Sequence, residues 1–272
     1  MTTPAFLCEH PDANARSRAF RRVCATCGSY WDVDSLGEIV PYDAGYPEQR
    51  GHYDPRVGAL KARTLRDWLR RGGIALEGKR ACEVGFGGGS CLPVLAERAA
   101  SVVGLEANDA AIERVRVSGV RAELLSVFRL PPRLDAPIDL WVFQDSFEHI
   151  PDPAAFLDWM LRNSAPNSQI LMVLPRGDSF SQRLLGRLWP HKLPDHQFQW
   201  SRAGVLDFMR RRGFVAEREF YPLKFVSPQM VVAHFLHKFG APPSVKKFLG
   251  GFSLALRFNF GEMGFVFRRR DA

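Results

Sequence analysis

Arg80-Ala81-Cys82-Glu83-Val84-Gly85-Phe86-Gly87-Gly88-Gly89-Ser90 is the stretch on which the fold turns. A short apolar run closes at Glu83-Val84, glycines crowd positions 85 to 89, and a helix-compatible segment follows from Ser90. Glycine allows a tight turn and a close approach of backbone to ligand, so a strand, glycine loop and helix in series form a cradle for a nucleoside-like cofactor. Dinucleotide folds place glycine or alanine at the sixth position counted from the first glycine; here that position is Ser90. This weighs against a dinucleotide. Glu106 lies 21 residues beyond Gly85, at the end of the next apolar run. A carboxylate there can accept hydrogen bonds from both ribose hydroxyls.

Outward from this loop, helical and strand-like patterns alternate between about 55 and 225. Helices are expected over 57–71, 90–99, 110–117, 153–163 and 202–212. Strands are expected over 80–84, 101–105, 120–125, 138–143, 169–174, 214–221 and 264–268. The first helix carries Leu60, Leu65, Trp68 and Leu69 on one face and ends at Gly72-Gly73. Such alternation predicts an α/β fold, a mostly parallel sheet covered by helices on both faces.

Glu83 followed by glycine at alternate positions resembles the first motif of Rossmann-like S-adenosylmethionine (SAM)-dependent methyltransferases. Phe143-Gln144-Asp145-Ser146-Phe147-Glu148-His149-Ile150-Pro151-Asp152-Pro153 resembles the Glu-His-Ile/Val-x-Asp-Pro stretch after strand four in their small-molecule branch. Asp195-His196-Gln197-Phe198-Gln199-Trp200-Ser201 is similar to the segment leading into a later helix of that family. The resemblance covers about residues 42–221 and implies a Rossmann-like seven-stranded sheet. It also implies a SAM site formed by Glu83, Gly85, Phe86, Gly87, Gly89, Glu106, Ala107, Ser126, Val127, Phe128 and Gln144, with Tyr42 and Tyr46 folding over it. Arg50 or His52 would then meet the cofactor carboxylate. Where relatives carry an acid after strand three, this chain has Ser126-Val127-Phe128-Arg129, which leaves adenine to backbone and to Phe128.

For chemistry, His149 is the sharpest candidate, because an imidazole can take a proton from an acceptor hydroxyl or amine as a methyl group arrives. A loop-fixing histidine is the alternative reading. Glu148 and Asp145 carry the same ambiguity, and His196 is a candidate for the acceptor pocket. Asp152 and Ser201 each have a simpler role as helix N-caps, Asp152 with Pro153 at the first helical position.

Near the start, Cys8-x-His10 and Cys24-x-x-Cys27 are separated by thirteen residues and supply four ligands suited to a closed tetrahedral zinc site. Cys24-Ala25-Thr26-Cys27-Gly28 reads as a zinc knuckle. A module this small has little core of its own, so the metal would supply much of its folding free energy. With no open coordination position, such zinc is structural. The expected division is a zinc-binding module over 1–40 and a methyltransferase domain over 41–272, with acceptor or lid regions near 176–200 and 226–260.

At 272 residues and 46% hydrophobic, the chain can bury one α/β core with length left for an appended module. Five cysteines, an odd count, argue against a disulfide framework. No basic start with an apolar run and no membrane-length apolar stretch is present, which makes a cytoplasmic product the expectation. A net charge of +8 suits an anionic acceptor, but much of the excess sits in Arg210–Arg212 and Arg268–Arg270, runs expected on solvated faces. The partner expected is a small-molecule acceptor methylated at oxygen, nitrogen or carbon, such as a sugar or metabolite intermediate. A nucleic-acid methyltransferase is the first rival. The Asn/Asp-Pro-Pro-Tyr motif of many amino-methylating relatives would follow strand four, where this chain reads Gln144-Asp145-Ser146-Phe147. A non-catalytic SAM-binding protein and a dehydrogenase are the others.

Overall fold

The structure, a computed structural model, describes residues 7–11, 15–18, 21–32, 53–193, 196, 198–229, 231–232 and 255–270. Its centre is a seven-stranded sheet. In chain order the strands are β4 (Arg80–Val84), β5 (Ser101–Glu106), β6 (Glu123–Ser126), β7 (Ile138–Gln144), β8 (Ser164–Pro175), β10 (Phe214–Phe220) and β13 (Glu262–Arg269). In space they run β10-β13-β8-β7-β4-β5-β6. Strands β4 to β8 pair parallel, and β13 slots antiparallel between β8 and β10, with Met263 opposite Leu174 and Phe267 opposite Ile170.

Burial on both faces explains why β8 carries an unbroken apolar run from Ile170 to Leu174, all fully buried. Successive residues point to opposite faces. Trp141 and Phe143 of β7 therefore join one core cluster with Leu157 and Met160 of helix α4 (Pro153–Arg162) and Phe208 of helix α6 (Arg202–Arg211). Leu140 and Val142 join the other, with Leu65, Trp68 and Leu69 of helix α1 (Pro55–Gly72) and Ile112 of helix α3 (Asp109–Val117). Burying side chains of this size stabilises by roughly 1.5–3 kcal/mol each.

The helix ends are chemically specified. Asp54 accepts from the Arg56 amide with Pro55 at the first turn, and Gly73 closes α1 at φ 67°. Asp152 and Ser201 accept from the amides of Ala155 and Gly204, which confirms both as N-caps.

Several boundaries differ from expectation. The helix after the glycine loop, α2, spans only Leu92–Ala96, because Pro93 lacks an N–H and fits only a first turn. Strand β6 starts at Glu123 rather than near 120, since Gly119 at φ 75° and an Ala122-to-Val120 hydrogen bond hold a turn there. A second sheet, unforeseen from sequence, has the order β1-β2-β3-β9, with β1 Ala15–Arg18, β2 Arg21–Cys24, β3 Tyr30–Asp32 and β9 Phe198–Gln199. A small pair joins β11 (Lys224–Val226) to β12 (Leu256–Phe258). No helix among the described residues is long and apolar enough to cross a membrane.

Candidate active site

Strand β4 has β5 on one side and β7 on the other, so the sheet order reverses between β4 and β7 and a crevice opens at their carboxyl ends. A cavity of about 1080 Å³ occupies it. That exceeds the usual range for one small ligand, roughly 300–1,000 Å³.

Glycine geometry shapes the near wall. Gly85 at φ 76° binds the Leu105 carbonyl through its amide, and a Cβ there would lie 2.7 Å from Ser146 Cβ. Only hydrogen at this position lets the loop after β4 meet the loop after β7. Gly87, at φ 53°, donates its amide to Glu106 Oε2 at 2.6 Å. Glu106 Oε1 accepts from the amides of Ala107 at 2.8 Å and Asn108 at 3.1 Å. Thus the carboxylate expected to grip a ribose also anchors the glycine loop, and its two oxygens keep lone-pair capacity for a ligand. Gly89 plays a different part: a Cβ there would lie 2.7 Å from Val115 Cγ2, so its glycine serves the packing of α3.

Glu83 sits buried at the crevice floor. Gln144 Nε2 donates to its Oε1 at 3.1 Å, while Oε2 has no hydrogen-bond partner among the described residues. Burial raises its pKa to about 8, opposed by the Gln144 hydrogen bond and by Lys61. Lys61 was not foreseen. With Val57, Thr64 and Trp68 it forms the stripe of α1 that lines the cavity, and a lysine on that otherwise largely apolar stripe was the available signal. Protein surrounds Lys61 yet leaves it solvent-accessible through the crevice, and no hydrogen bond or ion pair holds its ammonium among the described residues. Desolvation lowers its pKa, against the attraction of Cys91, Asp145 and Glu83.

At the other side, Ala107, Val127 and Phe128 line the cavity, with Phe128 72% exposed at its rim. Ser126 instead caps its own turn, accepting from the Phe128 amide. Phe86 lines the cavity with its ring against Gly104. Tyr42, Tyr46, Arg50 and His52 lie outside the described residues.

The far half of the cavity is polar at its base. Asp145, at φ 50°, places Oδ2 2.6 Å from Lys224 Nζ, and its Oδ1 is buried without a hydrogen-bond partner among the described residues. Lys224 also meets Glu262 Oε1 at 2.9 Å, and His191 Nε2 meets the same oxygen at 2.8 Å. Although burial opposes it, the Lys224 charge holds the Glu262 carboxyl down at about 2. Lys224 is held above its ordinary value by Asp145 and then Glu262, despite burial. His149 and His196 stand with ring centroids 4.5 Å apart, and His196 Nε2 is 4.0 Å from Glu148 Oε1. Ligand-type atoms of Glu148, His149 and His196 all lie within 4.8 Å of one another. All four expected chemistry residues therefore gather at this end. His191, Lys224 and Glu262 were missed because they come from β11, β13 and a loop distant in sequence.

Cys8, His10, Cys24 and Cys27 also gather, their ligand atoms within 4.8 Å of one another. His10 turns Nδ1 toward Cys24 Sγ at 3.4 Å and Nε2 toward Asp207 Oδ2 at 3.1 Å. Gly28, at φ 80°, returns its amide to the Cys24 carbonyl. Hydrogen bonding from Cys8 holds the Cys27 thiol below its ordinary value. The surrounding residues are tied to α6, its ends and the loop before it. Ser29 Oγ accepts from the Ser201 amide, Lys192 pairs with Asp32, and Arg211 and Arg212 pair with Glu9. Much of the basic run at 210–212 is thus internally paired, as is Arg268 with Glu217.

A family model described as a methyltransferase domain matches residues 56–219. Among curated proteins, the ubiquinone biosynthesis O-methyltransferase of Hahella chejuensis is 25% identical over 167 residues, 51% of this chain and 67% of that protein. That of Xylella fastidiosa is 31% identical over 129 residues, 45% of this chain and 51% of that protein. The chain therefore spans between about half and two thirds of the length of these relatives. Among solved structures, a Synechocystis magnesium protoporphyrin IX methyltransferase with bound SAH superposes with a TM-score of 0.50 at 15% identity, covering 79% of this chain and 84% of that chain. A SAM-dependent methyltransferase from Mesorhizobium loti gives 0.50 at 16% identity, covering 79% and 100%. Since the family match extends over more than half of its length and over the crevice-forming strands, the chain belongs to the methyltransferase-domain family.

Proposed function

We propose that this chain transfers the methyl group of SAM to a small-molecule acceptor held in the far half of the crevice. The observation that carries the reading is the pairing of Gly87 with Glu106 at the rim of a cavity that continues past Glu83 to a histidine-lined end. The residues fit the cofactor. Glu106 with Ala107 would hold the ribose, and Val127 and Phe128 the adenine. Glu83, Asp145 and Lys61, which all line the cavity, would hold the amino-acid end of the cofactor. SAM supplies an electrophilic methyl on a sulfonium. The protein's own task is alignment of acceptor, methyl carbon and sulfur, plus removal of a proton where the acceptor carries one.

Relatives named for O-methylation in ubiquinone biosynthesis favour oxygen among the acceptor atoms. The cluster of Cys8, His10, Cys24 and Cys27 is proposed to hold one structural zinc, with Asp207 supporting His10 from behind in the manner usual for metal-bound imidazoles. Calorimetry with SAM and SAH tests the cofactor. Incubating the protein with methyl-labelled SAM and cell extract, then locating label in the small-molecule fraction by mass spectrometry, tests the acceptor class. Binding without label transfer would leave a SAM-binding protein, and label in RNA would favour the nucleic-acid alternative.

A further inference from the structure

His191, at the far end of the cavity, has a buried carboxylate against its ring. Its Nε2 lies 2.8 Å from Glu262 Oε1. An ionised carboxylate only accepts, so Nε2 carries the hydrogen and Nδ1 is left with its lone pair. Glu262 cannot rotate away. Its Oε1 also accepts from Lys224 Nζ at 2.9 Å, and its Oε2 accepts from the Phe260 amide at 2.7 Å.

Asp145 and Glu262 both pair with Lys224, and Glu262 meets His191 as well. The chain of contacts starts at Asp145, at the crevice end of β7, and ends on His191, which lines the same cavity beside Leu193 and Pro190.

Resting on the methyl-transfer reading above, we infer that His191, oriented by Glu262, is the general base of this site and that its acceptor is a hydroxyl on an apolar body. As the acceptor oxygen bonds to the methyl carbon, the carbon–sulfur bond breaks and sulfur keeps its electron pair. The hydroxyl proton passes to His191 Nδ1, and Glu262 stabilises the imidazolium. An amine attacks through its own lone pair and loses a proton afterwards, so a carboxylate-backed base is matched to a hydroxyl. Phe156, Trp159, Phe225 and Val226 supply apolar walls. An imidazole is better matched to a phenol, with a pKa of about 10, than to an aliphatic alcohol.

The test uses the full chain, methyl-labelled SAM and two probes: 4-nonylphenol, and its 2-nitro derivative, which ionises unaided at mildly alkaline pH. Wild type should form the aryl methyl ether of both. H191Q should lower kcat on 4-nonylphenol by about 10²–10⁴-fold, with less than about a tenfold effect on the nitrophenol, because an ionised acceptor needs no base. E262Q, nearly isosteric, should reproduce the split more mildly, and SAM affinity by calorimetry should stay within about twofold in both variants. Equal loss on both probes, or undiminished turnover of 4-nonylphenol by H191Q, overturns the base assignment. Wild type that binds SAM but methylates neither probe overturns the hydroxyl acceptor and leaves the methyltransferase reading standing. Absence of SAM binding defeats the earlier reading instead.

Discussion

The amide of Gly87 donates to the carboxylate of Glu106 at 2.6 Å, across the gap between two parallel strands. This contact joins the glycine loop to the residue proposed to hold the ribose, which couples the proposed cofactor site to the loop conformation. Gly87→Val places a β-branched residue at φ 53°, a backbone region that such residues adopt only at a cost of roughly 1–3 kcal/mol. SAM binding should fall below detection by calorimetry while the far-ultraviolet circular dichroism stays native; unchanged affinity removes the cofactor assignment.

Glu83 gives a pH signature. Its folded pKa, raised to about 8 by burial, exceeds the ordinary carboxylate value, so the folded state binds the extra proton. The stability this contributes is complete below about pH 4 and is lost as pH rises through about 8. Without ligand, wild type should therefore lose stability between about pH 5 and 9 by up to a few kcal/mol more than Glu83→Gln. Urea titrations at both ends of that range measure it, and parallel pH profiles for the two proteins would rule it out.

Lys61→Met preserves the length of the side chain and removes its charge. SAM affinity should drop by about tenfold or more, as expected when a charge-assisted hydrogen bond worth about 1.5–3 kcal/mol is lost. Adenosine affinity should stay unchanged, because it lacks the carboxylate. Equal weakening of both ligands would show that Lys61 does not read the amino-acid end.

For the metal, one zinc per chain should appear by elemental analysis of unchelated protein, and stripping it should lower the melting temperature. His10 and Cys24 are bridged by only 3.4 Å, and Asp207 backs the histidine. Asp207→Asn should weaken zinc affinity by about 10–100-fold, measured by competition with a chromogenic chelator. A folded preparation without zinc contradicts the site.

The strands and the mostly parallel character of the sheet were legible in sequence, because each rests on a local signal. Gly85, Gly87 and Glu106 mark the loop and the following strand end, and Ile170–Leu174 announces a strand buried on both faces. Asp152 and Ser201 specify helix starts through bonds to amides three residues on. Four-residue strands such as β1 and β2, and the two-residue β9, are too short to show any period.

What sequence could not supply is partnership between distant positions. Residues 191, 224 and 262 read singly as an ordinary histidine, lysine and glutamate. They acquire chemistry only where the antiparallel entry of β13 brings Glu262 beneath the crevice and between His191 and Lys224. Local propensity and spacing determined the glycine loop and the cysteine pairs. Long-range packing alone decided which charges were buried together, Glu262 with Lys224 and His191 among them.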